Sequence, residues 1–332
     1  MQQFLALALE SSGGDSGRLA AVLAGVRAYQ GHPYRRDAGC VPAVASAGVA
    51  RLLDYGGSGP PVVVVPSLIN PPTVLDLAEG NSLLRWLAGQ GVRPLLVDWG
   101  APGVDERGLA IDGYVTGRLL PLLDAVGEPV ALAGYCLGGT MATAAATLRP
   151  VTRLALLAAP WRFAGYDAAQ RAAVAAWWAS AERQAVTLGI LPMDLIQPLF
   201  WGLDPRAAAA KFAAFERMDA DSGSARAFVA LEDWANDGPP LSLPAARQCF
   251  EQFFRDDAPG QGAWRVDGRV VDPAVLGCPV ANFVSTRDRI VPARAAADVG
   301  QRIDVEAGHV GMVVGSRARQ LLWEPLRDFV TA

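Results

Sequence analysis

The sequence is poor in the residues that build metal sites and disulfide frameworks. It has only two histidines, and its four cysteines are far apart, with no Cys-x-x-Cys pair among them. This spacing fits neither a zinc site nor a disulfide network, and it is typical of proteins from a reducing compartment. The sequence also lacks a Gly-x4-Gly-Lys-Ser/Thr phosphate loop and any sign of a redox cofactor. We therefore expect neither a metal ion nor a cofactor.

Long runs of basic residues are missing as well. The formal net charge is −4, and no basic run exceeds the one at residues 34–36, which argues against a nucleic acid partner. Residues 129–148 carry no charge, but three glycines interrupt them, so we expect a buried strand, turn and helix rather than a membrane span. The N-terminus lacks the basic region of a signal peptide, and we expect a cytoplasmic protein.

What is present is a large apolar fraction, 52% of 332 residues, with 19% charged residues. This suits a globular protein with much buried surface, built as one large α/β domain or two smaller ones. After a predicted helix and loop over residues 1–45, short apolar runs alternate with helical patterns, which is typical of a parallel sheet covered on both faces. The predicted strands are 61–66, 93–98, 130–134, 154–158, 280–285 and 302–306. The predicted helices among them are 81–89, 114–126 and 140–147.

Residues 165–261 break this pattern, because they are helical, rich in alanine and aromatic residues, and without a convincing strand. The segment lies between the predicted sixth and seventh strands, so it would cap the carboxyl edge of the sheet, where ligands bind in open α/β sheets. We therefore expect residues 1–164 and 262–332 to form the two parts of one core and residues 165–261 to form a helical cap.

The motif Gly134-Tyr-Cys-Leu-Gly138 lies between a predicted strand and a predicted helix. It has the form of a nucleophile elbow, with Cys136 in place of the usual serine. The small neighbours would let strand and helix approach, and the helix N-terminus favours a thiolate. The backbone N–H of Leu137 would then face a developing oxyanion. The alternative is a small buried cysteine on a packed strand.

A cysteine nucleophile needs a base and an acid that orients the base. His309 lies in a glycine-flanked loop after the last predicted strand and is the predicted base, whereas His32 is expected to be a surface or capping residue. Asp288 follows the predicted seventh strand and is the predicted acid. The chain order Cys136, Asp288, His309 is the order of nucleophile, acid and base in α/β-hydrolases. Three other carboxylates compete with Asp288: Asp98, Asp272 and Asp304.

A second oxyanion donor should come from the loop at residues 66–72. The backbone N–H of Leu68 is the predicted donor, with Ile69 as a close alternative. Together these features predict an α/β-hydrolase fold, a mostly parallel doubly wound sheet with a helical cap inserted between strands 6 and 7.

At the level of motifs, the sequence resembles the polyhydroxyalkanoate synthase family between about residues 50 and 320. The matching segments are 134–140 (the cysteine lipase box), 65–70, 75–77, 81–83, 97–102, 231–237, 288–292 and 308–311. The length of the chain and the sequence of residues 98–100 are most similar to those of the short, class III-like catalytic subunit. Two segments near the cap, 160–163 and 253–257, differ from the family's usual sequence at these positions.

This resemblance implies an acyltransferase that polymerises 3-hydroxyacyl-CoA thioesters into polyhydroxyalkanoate and releases CoA. Cys136 would be the acylated nucleophile, His309 the base and Asp288 the acid. The binding partners would be hydroxyacyl-CoA, the growing polyester, a partner subunit and a second copy of the chain. The protein would be located at the surface of the polymer granule. Two alternatives stay open: an ester or thioester hydrolase with the same triad, and a catalytically silent granule-associated subunit.

Overall fold

The computed structural model describes residues 2–37 and 39–332, and its centre is an eight-stranded sheet. The strands are β1 Ala43–Ala47, β2 Ala50–Asp54, β3 Pro61–Val65, β4 Arg93–Asp98, β5 Ala131–Tyr135, β6 Leu154–Leu157, β7 Val280–Ser285 and β8 Gln301–Val305. They lie in the order β1-β2-β4-β3-β5-β6-β7-β8. Strands β3 to β8 are parallel, and β2 runs antiparallel to both of its neighbours.

The helices surround this sheet. They are α1 Gln2–Ser12, α2 Ser16–Gln30, α3 Leu83–Gly89, α4 Ile111–Tyr114, α5 Leu120–Asp124, α6 Leu137–Leu148, α7 Ala168–Leu188, α8 Met193–Gly202, α9 Pro205–Phe215, α10 Gly223–Asn236, α11 Leu243–Arg247, α12 Gly311–Val314 and α13 Glu324–Thr331. π-helical turns at Val115–Leu119, Gln248–Arg255 and Arg319–Trp323 join or extend some of them. Over the described ranges, no helix combines the length and the apolar character that a bilayer crossing needs.

The central strands explain why their sequences are continuously apolar. Every residue of β3, β5, β6 and β7 is buried, because helices cover both faces of the sheet. Along β3 the side chains alternate between the two layers: Val63 and Val65 join one apolar cluster, and Val62 and Val64 join the other. Full burial of one such side chain contributes about 1.5–3 kcal/mol, so each central strand is anchored on both sides.

Most predicted elements are confirmed, with shifts of a few residues at their ends. Helix α3 begins after Ser82, whose hydroxyl accepts a hydrogen bond from the Arg85 N–H (3.0 Å), as a helix cap does. The hairpin of β1 and β2 was not predicted. Strand β1 lies at the edge of the sheet, partly exposed, and its small residues Ala43–Ala47 give little strand signal.

Helices α7 to α11 lie between β6 and β7, as expected of a helical insertion at this point. The expectation that this region contains no strand is wrong, because Ile190–Leu191 and Leu241–Ser242 pair antiparallel. A two-residue strand with its partner about fifty residues away leaves no periodic pattern in the sequence.

The N-terminal helices α1 and α2 pack against α9 of the insertion. Phe4, Val22, Val26 and Phe212 share one apolar cluster. The Tyr29 hydroxyl donates a hydrogen bond to Asp233 in α10 (2.7 Å). This helical pair therefore contacts the inserted helices directly.

His32 belongs to the same contact, and the expectation that it lies on the surface is wrong. The side chain is buried, and its Nε2 lies 2.9 Å from the carbonyl oxygen of Ala220. Its Nδ1 accepts a hydrogen bond from the Tyr34 N–H. The partner is almost two hundred residues away, so the local Gly-His-Pro sequence gave no sign of it.

The close approach of α2 to α9 yields a stability prediction. A Cβ atom added at Gly25 would lie 1.9 Å from the carbonyl oxygen of Phe212. We expect Gly25→Val to lower the free energy of unfolding by about 1–3 kcal/mol, measured by urea denaturation, because the helices must separate. The control is Gly17→Ala on the same helix, where a Cβ would meet only Asp15 Oδ1 at 3.3 Å. Equal unfolding midpoints for the two variants would contradict the tight contact.

Candidate active site

Cys136 occupies the sharp turn between β5 and α6. Its backbone has φ 55° and ψ −132°, a conformation that costs a non-glycine residue on the order of 1–3 kcal/mol. A Cβ at Gly138 would lie 2.1 Å from the carbonyl oxygen of Val65, and one at Gly134 would lie 2.4 Å from Gly139 Cα. The glycines are therefore needed for packing, and the packing holds a strained cysteine at the sheet's carboxyl edge. Cys136 is partly exposed, whereas Tyr135 and Leu137 are buried.

The loops after β7 and β8 bring Asp288 and His309 together. His309 Nδ1 lies 2.6 Å from Asp288 Oδ2; the Asp288 side chain is fully buried and that of His309 nearly so. The other carboxylate oxygen of Asp288 accepts hydrogen bonds from the N–H groups of Ile290 (2.7 Å) and Val291 (2.9 Å). These hydrogen bonds fix the orientation of the carboxylate towards the imidazole.

The three competing carboxylates are occupied elsewhere. Asp98 forms an ion pair with Arg51 (2.6 Å), and Asp304 forms one with Arg302 (2.8 Å). Asp272 accepts a hydrogen bond from the Ala274 N–H (2.9 Å). Of the four candidates, Asp288 is the carboxylate that the fold brings to His309.

Tyr135 holds His309 at two further points, the imidazole ring and the backbone carbonyl. Its ring stacks on Tyr135 with the centroids 5.0 Å apart, and the Tyr135 hydroxyl donates a hydrogen bond to the His309 carbonyl oxygen (3.2 Å). Burial alone would lower the pKa of His309, but the negative charges of Asp288 and Cys136, with their hydrogen bonding, raise it to about 10. At neutral pH the arrangement therefore favours an imidazolium beside negative charge.

The backbone N–H groups around Cys136 limit the choice of oxyanion donors. The Cys136 N–H donates to the Leu157 carbonyl oxygen in the sheet (2.9 Å). The Ile69 N–H donates to Ser67 Oγ (3.0 Å), which leaves Leu68 as the better candidate of the two in its loop. Leu137 is the first residue of α6, so its N–H has no partner one turn earlier in the helix. Leu68 and Leu137 therefore remain the candidate donors.

Sequence reasoning missed two groups near this site. Tyr166, which follows β6, is buried and packs on Phe163 and Phe254. Burial raises its pKa, and the charges of Cys136 and Asp288 raise it further. Cys249 is buried, and its pKa rises to about 12 through burial and the charge of Cys136. Neither residue lies in a recognisable motif, so the sequence alone could not have found them.

Within residues 2–37 and 39–332, the structure has no group of three or more histidine, cysteine, aspartate or glutamate side chains that could hold a metal ion.

Comparisons with known proteins bear on this site. No family model matches the chain. The chain is 29% identical over 291 residues to the poly(3-hydroxyalkanoate) polymerase subunit PhaC of Haloferax mediterranei, which covers 81% of this chain and 58% of that protein. It is 26% identical over 278 residues to the subunit of the same name from Allochromatium vinosum, covering 78% of this chain and 77% of that one. The resemblance to the polyhydroxyalkanoate synthase family is confirmed.

The chain spans only part of the length of these polymerase subunits: 58% of the Haloferax protein and 60% of its Haloarcula marismortui counterpart. Solved structures extend the comparison to the fold. A bromoperoxidase from Bacillus anthracis matches with a TM-score of 0.54 at 15% identity, covering 87% of this chain and 99% of that one. A hydrolase from Oleispira antarctica matches with a TM-score of 0.53 at 13% identity, covering 84% and 93%. The predicted α/β-hydrolase fold is thereby confirmed.

Proposed function

We propose that the chain is an acyltransferase that moves a 3-hydroxyacyl group from a CoA thioester through Cys136 onto the hydroxyl end of a growing polyester. One observation carries this most: a strained, partly exposed Cys136 lies in the same site as the 2.6 Å pair of His309 and Asp288. The likeness to polymerase subunits supplies the substrate class. No cofactor beyond the CoA thioester is needed for this chemistry.

The first half-reaction acylates the enzyme. The thiolate of Cys136 attacks the thioester carbonyl, and the backbone N–H groups of Leu137 and Leu68 stabilise the oxyanion that forms. The bond from the carbonyl carbon to the CoA sulfur then breaks, and the leaving sulfur takes a proton from the imidazolium of His309. The products are acyl-Cys136, free CoA and a neutral His309.

The second half-reaction transfers the acyl group. His309 removes the proton of the acceptor hydroxyl, which attacks the acyl carbon, and the Cys136 thiolate leaves beside the new imidazolium. Asp288 fixes the tautomer in which Nε2 is free to accept that proton and stabilises the imidazolium. One ester bond forms for each thioester consumed, so the chain grows by one unit.

A specific feature keeps hydrolysis as the second candidate. The two segments that depart from the family's spelling contact each other, because the Phe163 N–H donates to Asp257 Oδ1 (2.6 Å) and Phe163 packs on Phe253 and Phe254. Phe163 also stacks on Tyr166, whose pKa the charge of Cys136 raises. This chain therefore has its own contact between these two segments, which in the hydrolase alternative would exclude a polymer hydroxyl and admit water as acceptor.

The test is to incubate the purified protein with 3-hydroxybutyryl-CoA and to measure free CoA, free 3-hydroxybutyrate and insoluble polymer together. We expect CoA release with polymer formation. CoA release with stoichiometric free acid would replace the polymerase with the hydrolase. The absence of both CoA release and an acyl adduct on Cys136 by mass spectrometry would favour the catalytically silent subunit.

We also propose the arrangement around this activity. Residues 165–261 would act as the cap that controls which acceptor reaches acyl-Cys136. The enzyme would work in the cytoplasm at the polymer granule surface, with a partner subunit or a second copy. Granule fractionation and size measurement of the purified protein test these points.

A further inference from the structure

The structure has a groove of about 590 Å³ that contains none of Cys136, Asp288 and His309. It runs between the end of the cap and the loops that follow β6 and β7. Its polar lining consists of three arginines, Arg162, Arg294 and Arg302, together with Asp257 and Gln261. The Nε of Arg302 is already paired with Asp304 (2.8 Å), whereas within the described residues no such ion pair engages Arg162 or Arg294, whose guanidinium groups are suited to an anionic ligand.

The carboxylate in the lining itself, Asp257, is held by neutral donors and not by the arginines. Asp257 is buried, and its oxygens accept hydrogen bonds from the Phe163 N–H (2.6 Å) and the Gln261 side chain (3.3 Å). Arg162 is exposed, but its Nε donates to the Ala296 carbonyl oxygen (3.1 Å), which fixes the stem and leaves the terminal nitrogens of the guanidinium for another partner. A positioned guanidinium loses less conformational freedom when it binds an anion.

The groove is connected to the site by the same two loops. Arg162 precedes Tyr166 in the loop after β6, and Arg294 follows Asp288 in the loop after β7. The N–H groups of Trp161 and Arg162 both donate to the Ala295 carbonyl oxygen (2.7 and 2.9 Å), which fastens the two loops together. A ligand that spans groove and site would therefore contact one rigid unit.

We propose that this groove binds the phosphate groups of the CoA thioester. The inference rests on the proposed function, because that function supplies a substrate with its phosphates at one end and its thioester at the other. The pantetheine arm between them is long and flexible, so the two ends can occupy separate places. Planar guanidinium groups pair with phosphate oxygens in a bidentate manner, which selects the nucleotide end over the apolar acyl end. Arg162 lies in a segment that departs from the family's spelling, so the site is a property of this chain.

The experiment compares two thioesters of the same acyl group, 3-hydroxybutyryl-CoA and 3-hydroxybutyryl-N-acetylcysteamine, of which the second has no phosphate. The variants are Arg162→Gln, Arg294→Gln, Arg302→Gln and their triple combination. We expect the triple variant to raise KM for the CoA thioester about tenfold or more, and to leave kcat/KM for the phosphate-free thioester unchanged. The control is Arg217→Gln, an exposed arginine outside the groove, which should alter neither substrate.

Three results would overturn the inference: an equal loss with both thioesters, no loss with either, or the same loss in the Arg217 control. A wild-type enzyme that processes neither thioester would instead contradict the proposed function. A second measurement needs no turnover. Calorimetry with adenosine 3′,5′-bisphosphate should show binding to the wild type and at least about tenfold weaker binding to the triple variant. Undiminished binding to the triple variant, or equal affinity for inorganic phosphate, would exclude a nucleotide site in this groove.

Discussion

Cys136→Ala is expected to abolish acyl transfer, with a loss of at least about 10³-fold in turnover, because no other group can take the acyl chain in the proposed mechanism. The fold should survive, since alanine retains the small volume that the turn between β5 and α6 requires. Turnover measured as CoA release and an intact unfolding transition would together test this. Activity near the wild-type level would remove Cys136 from the role of nucleophile. Cys136→Ser should keep at most weak activity, because an alkoxide forms far less readily than a thiolate.

A matched variant separates the chemistry of Cys136 from its strain. Cys136→Gly also removes the thiol, but glycine adopts φ 55° and ψ −132° without the steric cost that alanine shares with cysteine. We expect both variants to be inactive and Cys136→Gly to be more stable than Cys136→Ala by about 1–3 kcal/mol in urea denaturation. Equal stabilities would show that the surrounding structure does not hold this residue under strain. If Cys136→Gly is the more stable variant, the backbone strain at residue 136 is the stability that the protein loses by presenting the thiol at the sheet edge.

The parts of the fold that the sequence revealed are those whose signals are local. The runs at 61–65 and 131–135 are continuously apolar because both faces of the sheet are covered, and that burial leaves a direct trace in the sequence. The elbow could also be read, because close packing excludes side chains at Gly134 and Gly138. Chain order then selected Asp288 and His309 correctly as neighbours.

The parts that could not be read depend on distant partners. Buried His32 has the carbonyl oxygen of the distant Ala220 as the hydrogen-bond partner of its Nε2. Ile190–Leu191 is a strand only because Leu241–Ser242 pairs with it. The preference for Leu68 over Ile69 as the candidate oxyanion donor depends on the Ser67 hydroxyl, which accepts a hydrogen bond from the Ile69 N–H. Each of these contacts depends on how the chain returns to itself, and no short window of sequence contains that information.

The two segments whose sequences differ from the family's usual sequence are in contact with each other. Phe163 and Asp257 are joined by a 2.6 Å hydrogen bond, so a change in one segment constrains the other. The same pair joins Tyr166 to the arginine-lined groove, since Tyr166 packs on Phe163 and Asp257 lines the groove. A substitution in either segment is therefore expected to affect both the proposed acyl step and the proposed nucleotide binding.

Asp288→Asn is expected to slow steady-state turnover by about 10²–10³-fold while leaving the acylation burst partly intact. The amide can no longer stabilise the imidazolium of His309 or fix the tautomer with Nε2 free. Forming the thiolate of Cys136 needs this help less than deprotonating an alcohol does, because a hydroxyl has a far higher pKa than a thiol. The larger loss should therefore fall on the transfer step. Rapid-quench measurement of acyl-Cys136, beside steady-state CoA release, separates the two steps.

A pH profile distinguishes this role of Asp288 from a merely structural one. The charge of Asp288 is the leading cause that raises the pKa of His309 against the effect of burial, so the variant should lower that pKa. The pH at which His309 loses its proton, followed by NMR of its imidazole, should then be lower in the variant than in the wild type. The control is Asp98→Asn, whose carboxylate pairs with Arg51 and should affect neither burst nor profile. Equal losses in burst and turnover would contradict the division between the two steps, and a larger loss in the Asp98 variant would move the acid role to that residue.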